Sequence, residues 1–155
     1  MRKVIFIFFI AILSFPNILW AVDPIIGTWK CTSPGHPDLK EETHIYREVE
    51  GDMIELSAAQ ISKDGSSNSF RTIWPKEGGI VKSLSGEFKE GRLYIEVLDE
   101  SNNWYLFIIR NGRQHIMYHK IVSEDGKTLT MIFKANGPDG KVEIEGKDFY
   151  KKVEN

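Results

Sequence analysis

The chain has 155 residues, of which 41% are hydrophobic, 27% charged and 12% aromatic, and its formal net charge is −2. This composition is that of a globular protein and excludes a disordered, collagen-like or coiled-coil chain. The single cysteine excludes an internal disulfide and a four-thiolate metal site, and the charge gives no indication of a nucleic-acid surface.

Residues 1–21 are predicted to form a secretory signal peptide. They start with a short basic stretch, continue with ten apolar residues (4–13) and end at Ala21, which closes a cleavage site. A membrane-spanning helix needs about 20 apolar residues, so this run is too short, and a retained N-terminal anchor is the alternative. We therefore expect an exported protein, periplasmic or extracellular, with one domain over residues 22–155 and no stable membrane span after cleavage.

Cys31 is the only cysteine of a chain that is expected to meet oxidising conditions, where thiols normally pair. It lies two residues after Trp29 in a segment that has the pattern of a strand, and no histidine or basic cluster adjoins it. We expect a buried, inert thiol that behaves as a small apolar side chain, with a reactive nucleophile as the alternative.

From Gly27 onward the hydrophobic pattern has a period of two residues, as residues 93–97 and 142–145 show, and this period is typical of strands. Pairs such as Asn111-Gly112 separate the apolar runs and favour tight hairpin turns, because these residues tolerate positive φ. Nine or ten strands are predicted, near residues 26–32, 42–50, 53–62, 69–74, 80–89, 92–99, 103–110, 114–122, 127–135 and 141–152.

Short connections between consecutive strands predict an all-β antiparallel meander, because parallel strands need long crossovers. A sheet of this length hides its edges by closing on itself. We therefore predict an up-and-down barrel of about eight to ten strands, with a two-sheet sandwich as the alternative, and a monomer.

Two stretches resemble a known family. Gly27-Thr28-Trp29 in the first strand is similar to the Gly-x-Trp of lipocalins and the wider calycin superfamily, and the closer resemblance is to small exported bacterial lipocalin-like proteins of largely unassigned function. The second stretch is residues 122–130, followed by residues 139–141 and 150–152. Three features of lipocalins proper are not found in the chain: a Thr-Asp-Tyr motif, a helix after the last hairpins, and a late arginine that packs over the tryptophan. Lys151 or Lys152 would have to substitute for this arginine.

The resemblance implies a barrel that holds a small apolar or amphipathic molecule, inside or at its mouth. It also implies that Trp29 closes one end of the barrel, with Gly27 allowing a close backbone approach; a ligand contact by Trp29 is the alternative. From aromatic content rather than from a motif, the ligand-lining candidates are Trp74, Trp104, Phe107, Met117, Tyr118 and Phe133.

Residues 104–109 (WYLFII) are apolar on both faces of their predicted strand, whereas a strand with one face in solvent should alternate. Either a loop covers the outer face, or the strand forms an exposed apolar patch for a partner. The second possibility supports the alternative function, a protein-interaction or inhibitor module without a small-molecule site.

His115 and His119 lie on one face of a predicted strand, about 13 Å apart, which is too far for one metal ion. A metal site would therefore need a bulge in the strand or a third ligand such as His44. One of the two histidines could instead be a haem ligand, and the remaining alternative is that both are ordinary half-buried or rim residues. His36 lies in the first loop, where it could reach a ligand.

No catalytic motif occurs, and the acidic pairs at 41–42 and 99–100 fall at strand ends, so we predict no enzyme, no catalytic residue, no metal and no cofactor.

Overall fold

The computed structural model describes residues 23–86, 91–99 and 103–154. These residues form eleven strands: β1 (Gly27–Ser33), β2 (Leu39–Val49), β3 (Met53–Ser62), β4 (Ser67–Pro75), β5 (Gly78–Ile80), β6 (Lys82–Ser85), β7 (Arg92–Leu98), β8 (Trp104–Arg110), β9 (Arg113–Val122), β10 (Thr128–Asn136) and β11 (Val142–Lys152). Within the described ranges, no helix is long and apolar enough to cross a membrane.

The predicted hairpins form where the sequence has turn residues. Asn111 and Gly112 both adopt positive φ, 53° and 71°, between the paired residues Arg110 and Arg113. Two consecutive positive φ angles give a two-residue hairpin whose twist matches that of the flanking strands. The alternation also holds in β10, where Leu129, Met131 and Phe133 are buried and the residues between them are only half-buried.

All eleven strands belong to one antiparallel sheet, in the order β5-β7-β8-β9-β10-β11-β1-β2-β3-β4-β6. The first strand pairs with both β2 and β11, so the two ends of the meander meet. The result is a nearly closed barrel, which confirms the predicted fold class and excludes the two-sheet sandwich.

The strand predicted at 80–89 is divided in the structure. Gly78 and Gly79 adopt positive φ, and the chain forms two short strands on either side of buried Val81. The first, β5, pairs with β7, and the second, β6, pairs with β4. We call residues 78–85 the seam, because this one segment joins the two edges of the sheet. Residues 87–90 of the predicted strand lie outside the described residues.

Trp29 lies in the core at one end of the barrel, with Ile25, Trp74, Trp104 and Leu129. Its indole Nε1 donates a hydrogen bond of 2.7 Å to the carbonyl oxygen of Ile25. Such a bond satisfies the polar end of an otherwise apolar ring.

Lys152 covers the outer side of this tryptophan, with Nζ 5.1 Å from the centre of the Trp29 ring. A Cβ atom at Gly27 would lie 2.5 Å from Cε of Lys152, so a larger residue there would displace the lysine side chain from its present position. Lys152 therefore occupies the position over Trp29 that the resemblance assigns to a late arginine.

The outer face of β7 and β8 is apolar and exposed. In β8, Trp104 and Ile108 are buried, whereas Tyr105 and Phe107 point outward with ring centroids 6.2 Å apart. Phe107 pairs with Ile95 of β7 and Tyr105 with Val97. We use the name "outer apolar face" for the surface formed by Ile80, Leu93, Ile95, Val97, Tyr105, Phe107 and Met117. Leu93, Val97 and Ile80 are 42%, 41% and 58% exposed, which favours the exposed patch over the covering loop.

Candidate functional site

The barrel encloses a cavity of about 420 Å³, within the range of small-molecule sites. The residues that line it come from most of the strands and from the β1–β2 loop: His36, Asp38, Leu39, Glu42, His44, Tyr46, Leu56, Gln60, Ser62, Asn68, Phe70, Thr72, Val81, Arg92, Tyr94, Glu96, Leu106, Ile108, Ile116, Tyr118, Lys120, Met131 and Asp148.

The lining has an apolar region and a polar region, which meet where Met131 of β10 pairs with Asp148 of β11. Leu106 and Ile108 of β8, Ile116 of β9 and Met131 of β10 form an apolar wall. Strands β2, β3 and β11 supply carboxylate, imidazole and amide groups instead, namely Glu42, His44, Gln60 and Asp148. A molecule held in the cavity meets both kinds of surface.

A buried hydrogen-bond cluster surrounds Glu42 on the polar wall. Gln60 Nε2 donates to one carboxylate oxygen, and the Tyr150 hydroxyl donates to the other. His44 Nε2 lies 3.0 Å from Glu42 Oε1, a contact that is electrostatic rather than an aligned hydrogen bond. Its ring stacks on Tyr150 with centroids 5.2 Å apart. These contacts fix the Glu42 side chain in one position.

The partners of Glu42 also determine its ionisation. Burial alone would raise the pKa of this carboxyl, but the His44 imidazole and the donors from Tyr150 and Gln60 outweigh it and lower the pKa to about 2. Burial, together with the Glu42 charge, raises the pKa of the Tyr150 hydroxyl far above its usual range. Glu42 is therefore held in its ionised form beside the His44 imidazole.

Replacing Glu42 with glutamine is expected to reduce the acid sensitivity of the fold. A carboxyl with a lowered folded-state pKa contributes stability that is complete above its unfolded-state pKa of 4.5 and is lost as the pH falls through its folded-state pKa of about 2. A shift of this size corresponds to about 3 kcal/mol. Urea denaturation at a series of pH values between about 7 and 2 measures this loss in both proteins.

The matched control is Glu48→Gln, because Glu48 pairs with Lys76 on the surface at 3.0 Å. This variant is expected to lose stability with falling pH as the unmodified protein does. Parallel profiles for the unmodified protein and Glu42→Gln would show that Glu42 is not held as an ionised group.

A buried ion pair lies deeper in the cavity, next to the core. Lys120 Nζ donates to Glu96 Oε1, and both side chains are almost fully buried. The ammonium group also lies 5.3 Å from the ring centre of Trp74 and 5.6 Å from that of Tyr46. Glu96 Oε2 has no hydrogen-bond partner among the described residues. Burial raises the pKa of Glu96, and the Lys120 charge opposes this effect.

The β1–β2 loop lies at the opposite end of the barrel from Trp29, and Asp148 of β11 holds it. Asp148 Oδ1 accepts hydrogen bonds from the backbone N–H groups of Gly35, at 2.7 Å, and His36, at 3.2 Å. The His36 ring contacts that of Phe133, with centroids 5.2 Å apart. Because His36 and Asp38 also line the cavity, this loop forms one end of it.

The six predicted lining residues occupy four kinds of position. Tyr118 lines the cavity, and Phe133 lies behind the lining, with its ring 6.2 Å from that of Tyr118. Trp74 and Trp104 are core residues whose rings meet edge to face. Phe107 and Met117 lie on the outer face, which corrects the expectation for both, because in β8 and β9 the alternate residues point inward.

Of the four histidines, His36 and His44 line the cavity, whereas His115 and His119 do not. His115 Nδ1 contacts the carbonyl oxygen of Asn136 at 3.1 Å, and His119 stacks on Tyr105 with centroids 4.3 Å apart. Burial raises the pKa of the half-buried Cys31 thiol to about 11, which makes the thiolate scarce. The described residues contain no group of three His, Cys, Asp or Glu side chains that could hold a metal ion.

Sequence reasoning missed the polar lining. Glu42, His44 and Tyr46 are alternate residues of β2 and therefore share its inner face. The large apolar residues Tyr46 and Leu56 indicate which face of β2 and β3 is buried. Counting back from Tyr46 in steps of two residues would have identified His44 and Glu42 as residues of the inner face. The polar residues of β7, β9 and β11 can be found in the same way.

The fold and the cavity together define a nearly closed, antiparallel up-and-down β-barrel with an internal cavity. No family model matches the chain, and no curated protein matches it by sequence.

Among solved structures the chain is similar to the fluorescent protein UnaG. The wild-type UnaG structure aligns with a TM-score of 0.59 and 10% identity, over 83% of this chain and 97% of UnaG. An alanine variant of UnaG aligns with a TM-score of 0.61 and 10% identity, over 85% and 98%. A glutamine variant gives 0.55 and 13%, over 84% and 97%. At these identities the similarity shows the shared fold.

Proposed function

We propose that this protein binds a small amphipathic molecule inside the barrel. The observation that carries the proposal is the cavity of about 420 Å³, which is lined by apolar residues such as Leu106, Ile108 and Met131 and by polar residues such as Glu42 and His44. A barrel filled by its own side chains would instead favour an interaction module. The similarity to the UnaG barrel supports the proposal at the level of the fold.

The proposal also covers the wider role of the protein. A basic start followed by a short apolar run supports export, to the periplasm or the extracellular space. The absence of a catalytic motif in the sequence supports binding without catalysis, and the near-neutral charge supports a protein that does not bind nucleic acid. We further propose a monomer, since the ligand site lies within one chain.

Filling the cavity is the direct test of ligand binding. Diphenylhexatriene is a suitable probe, because it has no polar atoms and its fluorescence increases in an apolar environment. Leu106→Trp places an indole ring on the apolar wall and is expected to weaken probe binding at least about tenfold, because the added ring takes the space that the probe needs. Fluorescence titration measures the affinity, and thermal unfolding measures whether the variant folds.

Phe107→Trp is the matched control, since it introduces the same ring at the next residue, on the outer face. This variant is expected to bind the probe as the unmodified protein does. Equal weakening by both substitutions, or none by either, would place the probe outside the cavity.

Export is tested separately. Protein recovered from the producing cell is expected to have lost its first 21 residues and to begin within a few residues of Val22, because a signal peptidase removes the apolar leader. N-terminal sequencing measures the cleavage site. A chain that still begins at Met1 would contradict export through a cleaved signal.

A second candidate function, a protein-interaction module, is favoured by the outer apolar face. Leu93 and Val97 expose large apolar side chains next to Tyr105 and Phe107, and monomers rarely expose contiguous apolar surfaces of this kind. Sedimentation across a wide concentration range separates the two candidates: self-association that Phe107→Lys abolishes would support an interaction surface, and a monomer throughout would leave the cavity as the functional site.

A further inference from the structure

We propose that the ligand carries a hydrogen-bond donor, a hydroxyl, amide N–H or ammonium group, at the end that enters the cavity first, and that Glu96 accepts it. This inference rests on the proposed function and names the class of ligand. It predicts that molecules which offer only acceptors, and carboxylates in particular, bind poorly.

The first observation is an unused acceptor. Glu96 is 2% exposed and lines the cavity, and only one of its two carboxylate oxygens is hydrogen-bonded, by Lys120. The other, Oε2, is buried without a partner among the described residues. A buried acceptor without a donor is costly, so native proteins rarely retain one unless a water molecule or a ligand completes it.

The second observation is that no donor of the described residues reaches Glu96 Oε2. Lys120 Nζ is already bonded to Oε1 and lies over the rings of Tyr46 and Trp74. The Tyr46 hydroxyl lies 3.4 Å from His44 Nδ1 instead. The Trp74 indole Nε1 is also without a partner among the described residues and does not reach Oε2. A donor on a molecule in the cavity can therefore complete Oε2, and a ligand group that reproduces the hydrogen bond of a bound water can displace that water.

The third observation is the charge around this position. Lys120 is paired with Glu96, and His44 lies 3.0 Å from Glu42 Oε1, so a ligand carboxylate would meet two carboxylates whose cationic partners are already engaged. Arg92 is the other cation of the lining, but it begins β7, four residues and about 13 Å from Glu96 along the strand. A donor group, neutral or cationic, avoids this repulsion.

The apolar wall accounts for the rest of the ligand. Leu106 and Ile108 of β8, together with Met131, line the cavity, and Leu106 pairs directly with Glu96. An aliphatic or aromatic body can pack there while its donor group reaches Glu96. The ligand class is thus a polar-headed apolar molecule that is an alcohol, amide or amine rather than an acid.

The test is competition with bound diphenylhexatriene by four ten-carbon compounds: decanol, decylamine, methyl decanoate and decanoate. They share a chain and differ in head group: two carry donors, one is a neutral acceptor and one is an anion. Decanol and decylamine are expected to displace the probe at least about tenfold more effectively than the ester and the acid.

A paired substitution locates the donor site. Glu96→Leu combined with Lys120→Met removes both charges and keeps an apolar interior, and is expected to reduce the discrimination to within about threefold. The control combines Glu55→Gln with Arg71→Gln, because these residues form an ion pair at 2.8 Å near the surface. The control is expected to discriminate as the unmodified protein does.

The outcomes separate the inference from the proposed function. If the unmodified protein does not bind the probe, both fail. If it binds the probe but decanoate or the ester competes as well as decanol, the ligand class is wrong and ligand binding stands. If discrimination persists in a folded double variant, Glu96 is not the acceptor. The comparison of the four compounds in the unmodified protein is decisive even if the double variant does not fold.

Discussion

Trp29→Ala is expected to lower the free energy of unfolding by about 3–5 kcal/mol, because it leaves a cavity at the closed end of the barrel. Trp29 is fully buried among Ile25, Trp74, Trp104 and Leu129, so little of the lost contact area can be recovered by collapse. Since a domain is typically stable by only about 5–15 kcal/mol, the variant is expected to melt at a clearly lower temperature or to remain unfolded. Denaturant titration measures the change.

Trp29→Phe is the graded control. It keeps an aromatic ring but loses the hydrogen bond to Ile25, so its cost should be smaller. Binding of diphenylhexatriene to the folded fraction is expected to be unchanged in both variants. If Trp29→Ala melts like the unmodified protein yet loses the probe, then Trp29 contacts the ligand and the closed end has been assigned wrongly.

Lys120→Met is expected to cost about 3–5 kcal/mol, because it leaves the Glu96 carboxylate buried without a counter-ion. Methionine has nearly the shape of lysine, so the loss comes from the charge rather than from packing. Urea denaturation at neutral pH measures the change. The cost should fall at low pH, since protonation removes the buried negative charge.

Adding Glu96→Leu to Lys120→Met is expected to restore most of the lost stability. Replacing a buried ion pair by apolar side chains is often neutral or stabilising, whereas removing one partner is not. Additive losses in the double variant would show that the pair contributes through its contacts with Tyr46 and Trp74 rather than as two mutually neutralising charges.

Most of the fold could be predicted from the sequence, because the signals are local. Asn111-Gly112 specifies a tight turn through its own backbone preferences, and the alternation in β10 specifies which residues face inward. The division of the seam could not be predicted in this way. It arises because residues 78–80 pair with β7 while residues 82–85 pair with β4, and both pairings depend on how distant edges meet.

The candidate site was predicted less well, because aromatic content does not report orientation. Phe107 and Met117 are large and apolar but fall on the outward positions of their strands. Glu42 and Glu96 look like surface residues by type, yet both are buried. Their burial depends on partners such as Tyr150 and Lys120, which are remote in sequence and come together only in the barrel.

The seam also has a consequence for the rate at which a molecule bound in the barrel would be released. The long neighbours β2 and β3 are held by a ladder of ten residue pairs, whereas β5 and β6 each form only three pairs with their neighbours. Cooperative units with few hydrogen bonds open at the lowest free energy, far below that of global unfolding. Val81, at the centre of the seam, lines the cavity. We therefore expect the residence time of a bound molecule to follow the local opening of residues 78–85 rather than the overall stability of the protein.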